Sequence, residues 1–147
     1  MHEIPPEIKG MFIEAEMAEI EATSITLGGN TRRNPIELAI AWENSVKKID
    51  ADRGLPSSDR SVWSEHDLAG TLFLRDHLEK ALQQLPPSLR ERMERYVAEA
   101  DGLFRSYTVE DPEHRMLRVA DVGAQGRKWW WSRIPGSGPI AEDLARY

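Results

Sequence analysis

The chain contains no cysteine, which excludes disulfide bonds and every thiolate metal site. It also has no apolar run near the roughly 18 residues that a membrane-spanning helix needs. Residues 1–10 lack the basic and then apolar pattern of a secretory signal peptide. From these absences we expect a soluble, cytoplasmic protein that does not associate with a membrane.

Catalytic and metal-binding motifs are missing as well. His66 and His77 lie on one face of a predicted helix, but a rise of about 1.5 Å per residue places their backbones about 16 Å apart. The glycines in Gly28–Gly29 are not followed by the Gly-Lys-Ser/Thr of a phosphate-binding loop, and no serine stands in a nucleophile elbow. We therefore predict no catalytic residue, no metal site and no cofactor.

Length and composition indicate one folded domain over residues 1–147. An apolar fraction of 40% with 30% charged residues is typical of a water-soluble globular protein rather than a disordered one. Within that domain we expect a helical body over residues 5–111, followed by a hairpin and tail over residues 112–147.

Charge is unevenly distributed along the chain. Residues 1–111 carry 13 Lys and Arg against 21 Asp and Glu, whereas residues 112–147 carry six basic residues against four acidic ones. An acidic body repels a phosphate backbone and attracts a basic protein. We therefore expect a protein partner, a basic one being favoured by this field, and we consider nucleic acid an unlikely ligand.

Helix signals recur through the body. Asn34 with Glu37 three residues later is a capping box, Pro35 follows it at the first helical position, and Ser64 with Asp67 repeats the spacing. These signals and the apolar periodicity predict four helices, with loops at 23–33 and 50–64. The first three cover residues 5–22, 34–49 and 64–85, and the fourth follows Pro86–Pro87 with its apolar residues at 89–107.

The last predicted helix has the clearest amphipathic pattern. Its apolar residues step by three or four positions and form one stripe: Leu89, Met93, Tyr96, Val97, Ala100, Leu103, Phe104 and Tyr107. Acidic and basic residues four apart, Glu91 with Arg95 and Asp101 with Arg105, add ion pairs on its other faces.

The pattern changes after Pro112. Met116–Val122 and Arg127–Ile134 are short β-favouring runs on either side of a four-residue loop, which predicts a hairpin, and Ile140–Ala145 predicts a short terminal helical segment. The predicted fold is mainly α: an irregular four-helix bundle with a C-terminal β-hairpin and that short terminal helical segment.

Three consecutive tryptophans lie in a basic stretch at residues 127–133. Alternation along the predicted hairpin turns Trp130 toward the helices. The same alternation places five residues on an exposed face: Arg118, Arg127, Trp129, Trp131 and Arg133. Because tryptophan and arginine are enriched in binding hot spots, we predict this face as a binding surface. The alternative is that all three tryptophans close the open end of the helical core.

These features favour a small, acidic, non-enzymatic protein-binding module. An inhibitor, an antitoxin, an immunity protein and a small subunit of an assembly all belong to that class. The alternative is a small metal-independent hydrolase or nuclease-like enzyme that uses the basic C-terminal segment. Its discriminating feature is the convergence of four side chains on one cleft: His114, Arg115, Arg118 and Lys128.

Overall fold

The computed structural model describes residues 4–147, and helices make up 62% of the chain, which confirms the mainly α prediction. The helices are α1 (Pro6–Met11), α2 (Glu14–Ala22), α3 (Pro35–Asp52), α4 (Glu65–Gln83), α5 (Pro87–Tyr107), α6 (Arg115–Ala120), a 3-10 helix (Trp129–Ser132) and α7 (Pro139–Leu144). The strands are β1 (Ile25–Gly28), β2 (Thr31–Arg33), β3 (Thr108–Glu110) and β4 (Arg133–Pro135).

The three long helices α3, α4 and α5 form a packed core. The capping box predicted at the start of α3 is present, because the Glu37 N–H donates to Asn34 Oδ1 at 2.9 Å and the Asn34 N–H donates to Glu37 Oε1 at 3.0 Å. Ser64 and Asp67 cap α4 in a related way, since the Ser64 N–H donates to Asp67 Oδ2 at 2.9 Å. Both helix starts are therefore confirmed.

The apolar stripe of α5 is buried as predicted, with one exception. Leu89, Met93, Val97 and Phe104 are each less than 5% exposed, whereas Leu103 is only half-buried. The predicted ion pair between Glu91 and Arg95 is also present, at 3.7 Å on the surface.

Internal contacts divide the chain into two compact units. The first comprises residues 1–43 and 74–100, and the second comprises residues 44–73 and 101–147, so that each long helix contributes residues to both. The single domain over residues 1–147 stays a prediction.

In the first unit, the predicted helix over residues 5–22 is interrupted. α1 ends at Met11, and α2 begins at Glu14 with the Glu16 carboxylate accepting a hydrogen bond from the Ile13 N–H at 3.0 Å. Arg92 of α5 stabilises this break, because its guanidinium donates to Met11 O at 3.0 Å and pairs with Glu16 Oε2 at 2.5 Å. The prediction of one continuous helix was wrong, since these side chains satisfy the backbone where it bends.

The predicted loop at 23–33 contains the antiparallel pair β1–β2. Ile25 pairs with Arg33 and Thr26 with Arg32, and Gly29 takes the positive φ of 54° that the turn requires. Only Ile25 of this pair is fully buried. The loop prediction was therefore wrong over these residues, which form a small hairpin.

The second unit holds the β3–β4 sheet, in which Val109 pairs with Ile134 and Glu110 with Arg133. The predicted hairpin was wrong, because Met116–Val122 is not a strand and most of it forms α6. Two contacts favour that helix. The buried Asp111 carboxylate accepts the Met116 N–H at 3.1 Å, and the helical turn buries Met116 and Leu117 together. The terminal helical segment is confirmed as α7.

The loop between α3 and α4 is held by buried Asp52. Its Oδ2 accepts the Trp63 N–H at 2.8 Å and its Oδ1 accepts Lys48 Nζ at 2.5 Å. Lys48 Nζ also donates to Ser61 O at 2.7 Å, so a single lysine and carboxylate pair links the end of α3 to the residues that precede α4.

Candidate functional site

The three consecutive tryptophans form the 3-10 helix rather than a strand. About three residues complete one turn of such a helix, so successive side chains point about 120° apart instead of to alternate sides. Trp130 is 2% exposed and Trp131 is 1% exposed, whereas Trp129 is half-buried. The prediction that Trp131 shares an exposed face with Trp129 was therefore wrong, and the prediction that Trp130 is buried is confirmed.

An aromatic cluster in the second unit surrounds these tryptophans. Trp131 packs edge-on against Phe73 with ring centroids 4.9 Å apart, and Trp130 packs edge-on against Trp129 at 5.6 Å. Phe104 of α5 contacts Trp129 at 6.3 Å. The buried members of this cluster stabilise the fold, which leaves Trp129 as the tryptophan of the segment at its surface.

Arg105, near the end of α5, covers the ring of Trp129. Its guanidinium carbon lies 3.7 Å from the Trp129 ring centroid, a close cation–π contact, and the arginine is otherwise exposed. The sequence suggested an ion pair with Asp101 instead. That prediction was wrong, because over residues 4–147 Arg105 has this stacking contact and no carboxylate partner. Sequence reasoning missed Arg105 as a site residue.

Two of the predicted arginines have intramolecular partners. Arg133 donates to Thr108 Oγ1 at 2.9 Å and to Thr108 O at 2.7 Å, and it pairs with Glu110 Oε1 at 2.9 Å. Arg127 donates to Gly123 O at 3.0 Å and lies 5.3 Å from the Trp131 ring centroid. Both are half-buried, and their guanidinium groups stabilise the β3–β4 sheet and the 123–127 turn.

Arg118 and Lys128 are more accessible. Arg118 lies on α6, which contacts the 3-10 helix, and within residues 4–147 its guanidinium donates only to Glu113 O, at 2.6 Å. Lys128 directly precedes Trp129 and is exposed. Among the described residues neither cation has a carboxylate partner. We call Arg105, Arg118, Lys128 and Trp129 together the Trp129 surface.

The residues predicted for the alternative, a hydrolase or nuclease-like enzyme, make separate contacts. Arg115 pairs with Glu113 at 3.0 Å, while His114 is exposed and takes a positive φ of 53° before α6. Tyr107, a buried tyrosine of the same unit, donates its hydroxyl to Val46 O at 2.7 Å, and burial raises the pKa of this phenol. These contacts do not assemble an acid–base pair, and the enzyme alternative stays a prediction.

Within residues 4–147, no group of three or more histidine, aspartate or glutamate side chains is arranged to hold a metal ion. None of the helices described combines the length and hydropathy that crossing a bilayer requires. The comparisons with known proteins assign no family. No protein-family model, curated protein or solved structure matches this chain.

Proposed function

We propose that this chain is a non-enzymatic protein-binding module and that the Trp129 surface is its contact region. The observation that carries the proposal is a half-buried tryptophan and three cations that have no carboxylate partner among the described residues: Arg105 stacks on its ring, Lys128 precedes it in the chain, and Arg118 lies on α6, which contacts the 3-10 helix. Interface hot spots are enriched in tryptophan and arginine, and their most effective positions combine an apolar ring with desolvated polar groups.

The other arginines of the second unit support this proposal by contrast. Arg53 pairs with Asp50 at 2.8 Å, Arg115 with Glu113 at 3.0 Å and Arg133 with Glu110 at 2.9 Å. Four arginines of this unit, these three and Arg146, thus have carboxylate partners. The cations of the Trp129 surface are left for an external counter-charge.

Co-purification from the native host tests the proposal. A tagged wild-type chain should retain one partner in stoichiometric amount, and the double substitution Arg118→Glu and Lys128→Glu should weaken that association at least about tenfold by placing like charges in the interface. Both positions are exposed, so the double variant should stay folded, and its melting temperature should fall only by the small amount that the lost hydrogen bond from Arg118 to Glu113 O accounts for.

The matched control is Arg60→Glu. Arg60 is an exposed arginine of the α3–α4 loop without a carboxylate partner among the described residues, and it lies outside the Trp129 surface. It should retain the partner. The proposal fails if no stoichiometric protein accompanies the wild-type chain, or if the double variant retains its partner as well as the control does.

A further inference from the structure

Arg105 is stacked on Trp129 in a geometry that leaves its N–H donors available to a ligand. With its guanidinium carbon 3.7 Å from the centre of the Trp129 ring, Arg105 has one face of its planar group covered by indole. Stacking engages the π face of a guanidinium and leaves the N–H groups at its edge available as donors. Over the described part of the chain, those donors have no protein acceptor.

The fork of N–H donors in arginine matches the two oxygens of a carboxylate. A flexible arginine loses side-chain entropy when it forms such a pair, whereas one already held against a ring loses less. Arg105 is therefore prepared for bidentate binding before any partner arrives. A lysine at the same position would supply charge without the fork.

The distribution of charge favours a protein carboxylate over a nucleic-acid phosphate. The first unit holds eight basic and 13 acidic residues, whereas the second holds 11 basic and 12 acidic ones. Surface charges interact over about 8 to 10 Å at physiological salt, so a short acidic segment experiences mainly the cations nearest to it. A long polyanion extends beyond those cations to acidic side chains of the same protein.

We infer that the partner of this module is acidic and that one of its carboxylates binds the Arg105 guanidinium stacked on Trp129, with Lys128 and Arg118 beside it. This inference rests on the proposed function and identifies the chemistry of its ligand. It differs from the expectation drawn from total charge, because most of the net negative charge lies in the first unit, a balance of −5 from eight basic and 13 acidic residues, whereas Arg105 lies in the second unit, where 11 basic and 12 acidic residues leave −1.

Fluorescence anisotropy with the full chain tests the inference. The probes are a labelled glutamate-rich peptide, the same peptide with glutamine in place of each glutamate, and a single-stranded oligonucleotide of equal length. The glutamate peptide should bind and the glutamine peptide should not. Arg105→Lys should weaken binding of the glutamate peptide about tenfold, because the charge is kept while the stack and the fork are lost.

Arg60→Lys is the matched control and should leave the affinity unchanged. Equal binding by wild type and Arg105→Lys would overturn the inference, and so would equal affinity for the two peptides. Tighter binding of the oligonucleotide than of the glutamate peptide would assign the surface to nucleic acid instead.

The two proposals can fail separately. If the co-purified partner depends on the Trp129 surface but the glutamate peptide does not bind, the acidic ligand is wrong and the binding module stands. If the peptide binds through Arg105 while no protein co-purifies, the chemistry of the surface is supported and the proposed function is wrong.

Discussion

Gly138 lies at the start of α7 in a conformation that an L side chain rarely adopts. Its φ is 93° and its ψ is −172°, a region almost restricted to glycine. A Cβ added here would lie 2.7 Å from Arg53 Cα, which is backbone and cannot rotate away. Gly138→Ala therefore combines backbone strain with a steric overlap.

The magnitude follows from these two contributions. Backbone strain of this kind costs about 1 to 3 kcal/mol. The overlap adds to that cost, because Arg53 is itself held by its ion pair with Asp50 at 2.8 Å and by the contact of its guanidinium with the Tyr107 ring at 5.1 Å. We expect Gly138→Ala to lower the free energy of unfolding by about 3 kcal/mol or more.

Gly126→Ala is the matched control, since Gly126 also has a positive φ, 76°, but a Cβ there meets no atom within 4 Å. This substitution should cost about 1 to 2 kcal/mol from backbone strain alone. Urea denaturation followed by far-ultraviolet circular dichroism gives both values, provided that the two slopes agree. If Gly138→Ala costs no more than Gly126→Ala, the close approach to Arg53 does not constrain the start of α7.

Three further substitutions test contacts within the two units. Trp131→Ala should lower the free energy of unfolding by about 3 to 5 kcal/mol, because it removes a buried ring. Trp129→Ala should lower it less, because Trp129 is only half-buried. Equal losses in urea denaturation would contradict the exposure assigned to Trp129. In the first unit, the hydrogen bond from Arg92 holds the pKa of Glu16 below its ordinary value of 4.5. The ion pair between Arg92 and Glu16 therefore stabilises the fold above pH 4.5, and this stabilisation decreases as the pH falls below that value. Arg92→Gln should make the loss of stability on the acid side shallower. An unchanged dependence of stability on pH would contradict the pairing.

Local sequence determined the long helices. Asn34 and Glu37 are three residues apart and satisfy each other's backbone N–H groups, so the start of α3 could be predicted without knowledge of any distant contact. The stripe of α5 is similarly local, because its spacing of three and four residues places the apolar side chains on one face of any helix that forms. Propensity and periodicity agree in both segments.

The short elements depend on capping and packing contacts that hydrophobic periodicity does not reveal. Most of the β-favouring run Met116–Val122 forms α6. The Asp111 carboxylate accepts the Met116 N–H, and one helical turn buries both Met116 and Leu117. The intrinsic preferences of so short a run are small, and one capping contact with a few buried side chains exceeds them. The break between α1 and α2 likewise depends on Arg92, 76 residues from Glu16.

The candidate site shows the same division. The sequence identifies Trp129 as unusual because it stands in a basic stretch with two other tryptophans, but it cannot indicate that Arg105 stacks on that ring. The exposure of each tryptophan depended on whether the segment is a strand or a 3-10 helix, which places successive side chains about 180° or about 120° apart. Sequence by itself determined where the long helices begin and which of their faces are apolar, since those depend on neighbours within one or two turns. Only the tertiary structure decided the conformation of residues 129–135 and the partner of Arg105, because both depend on contacts between residues far apart in the chain.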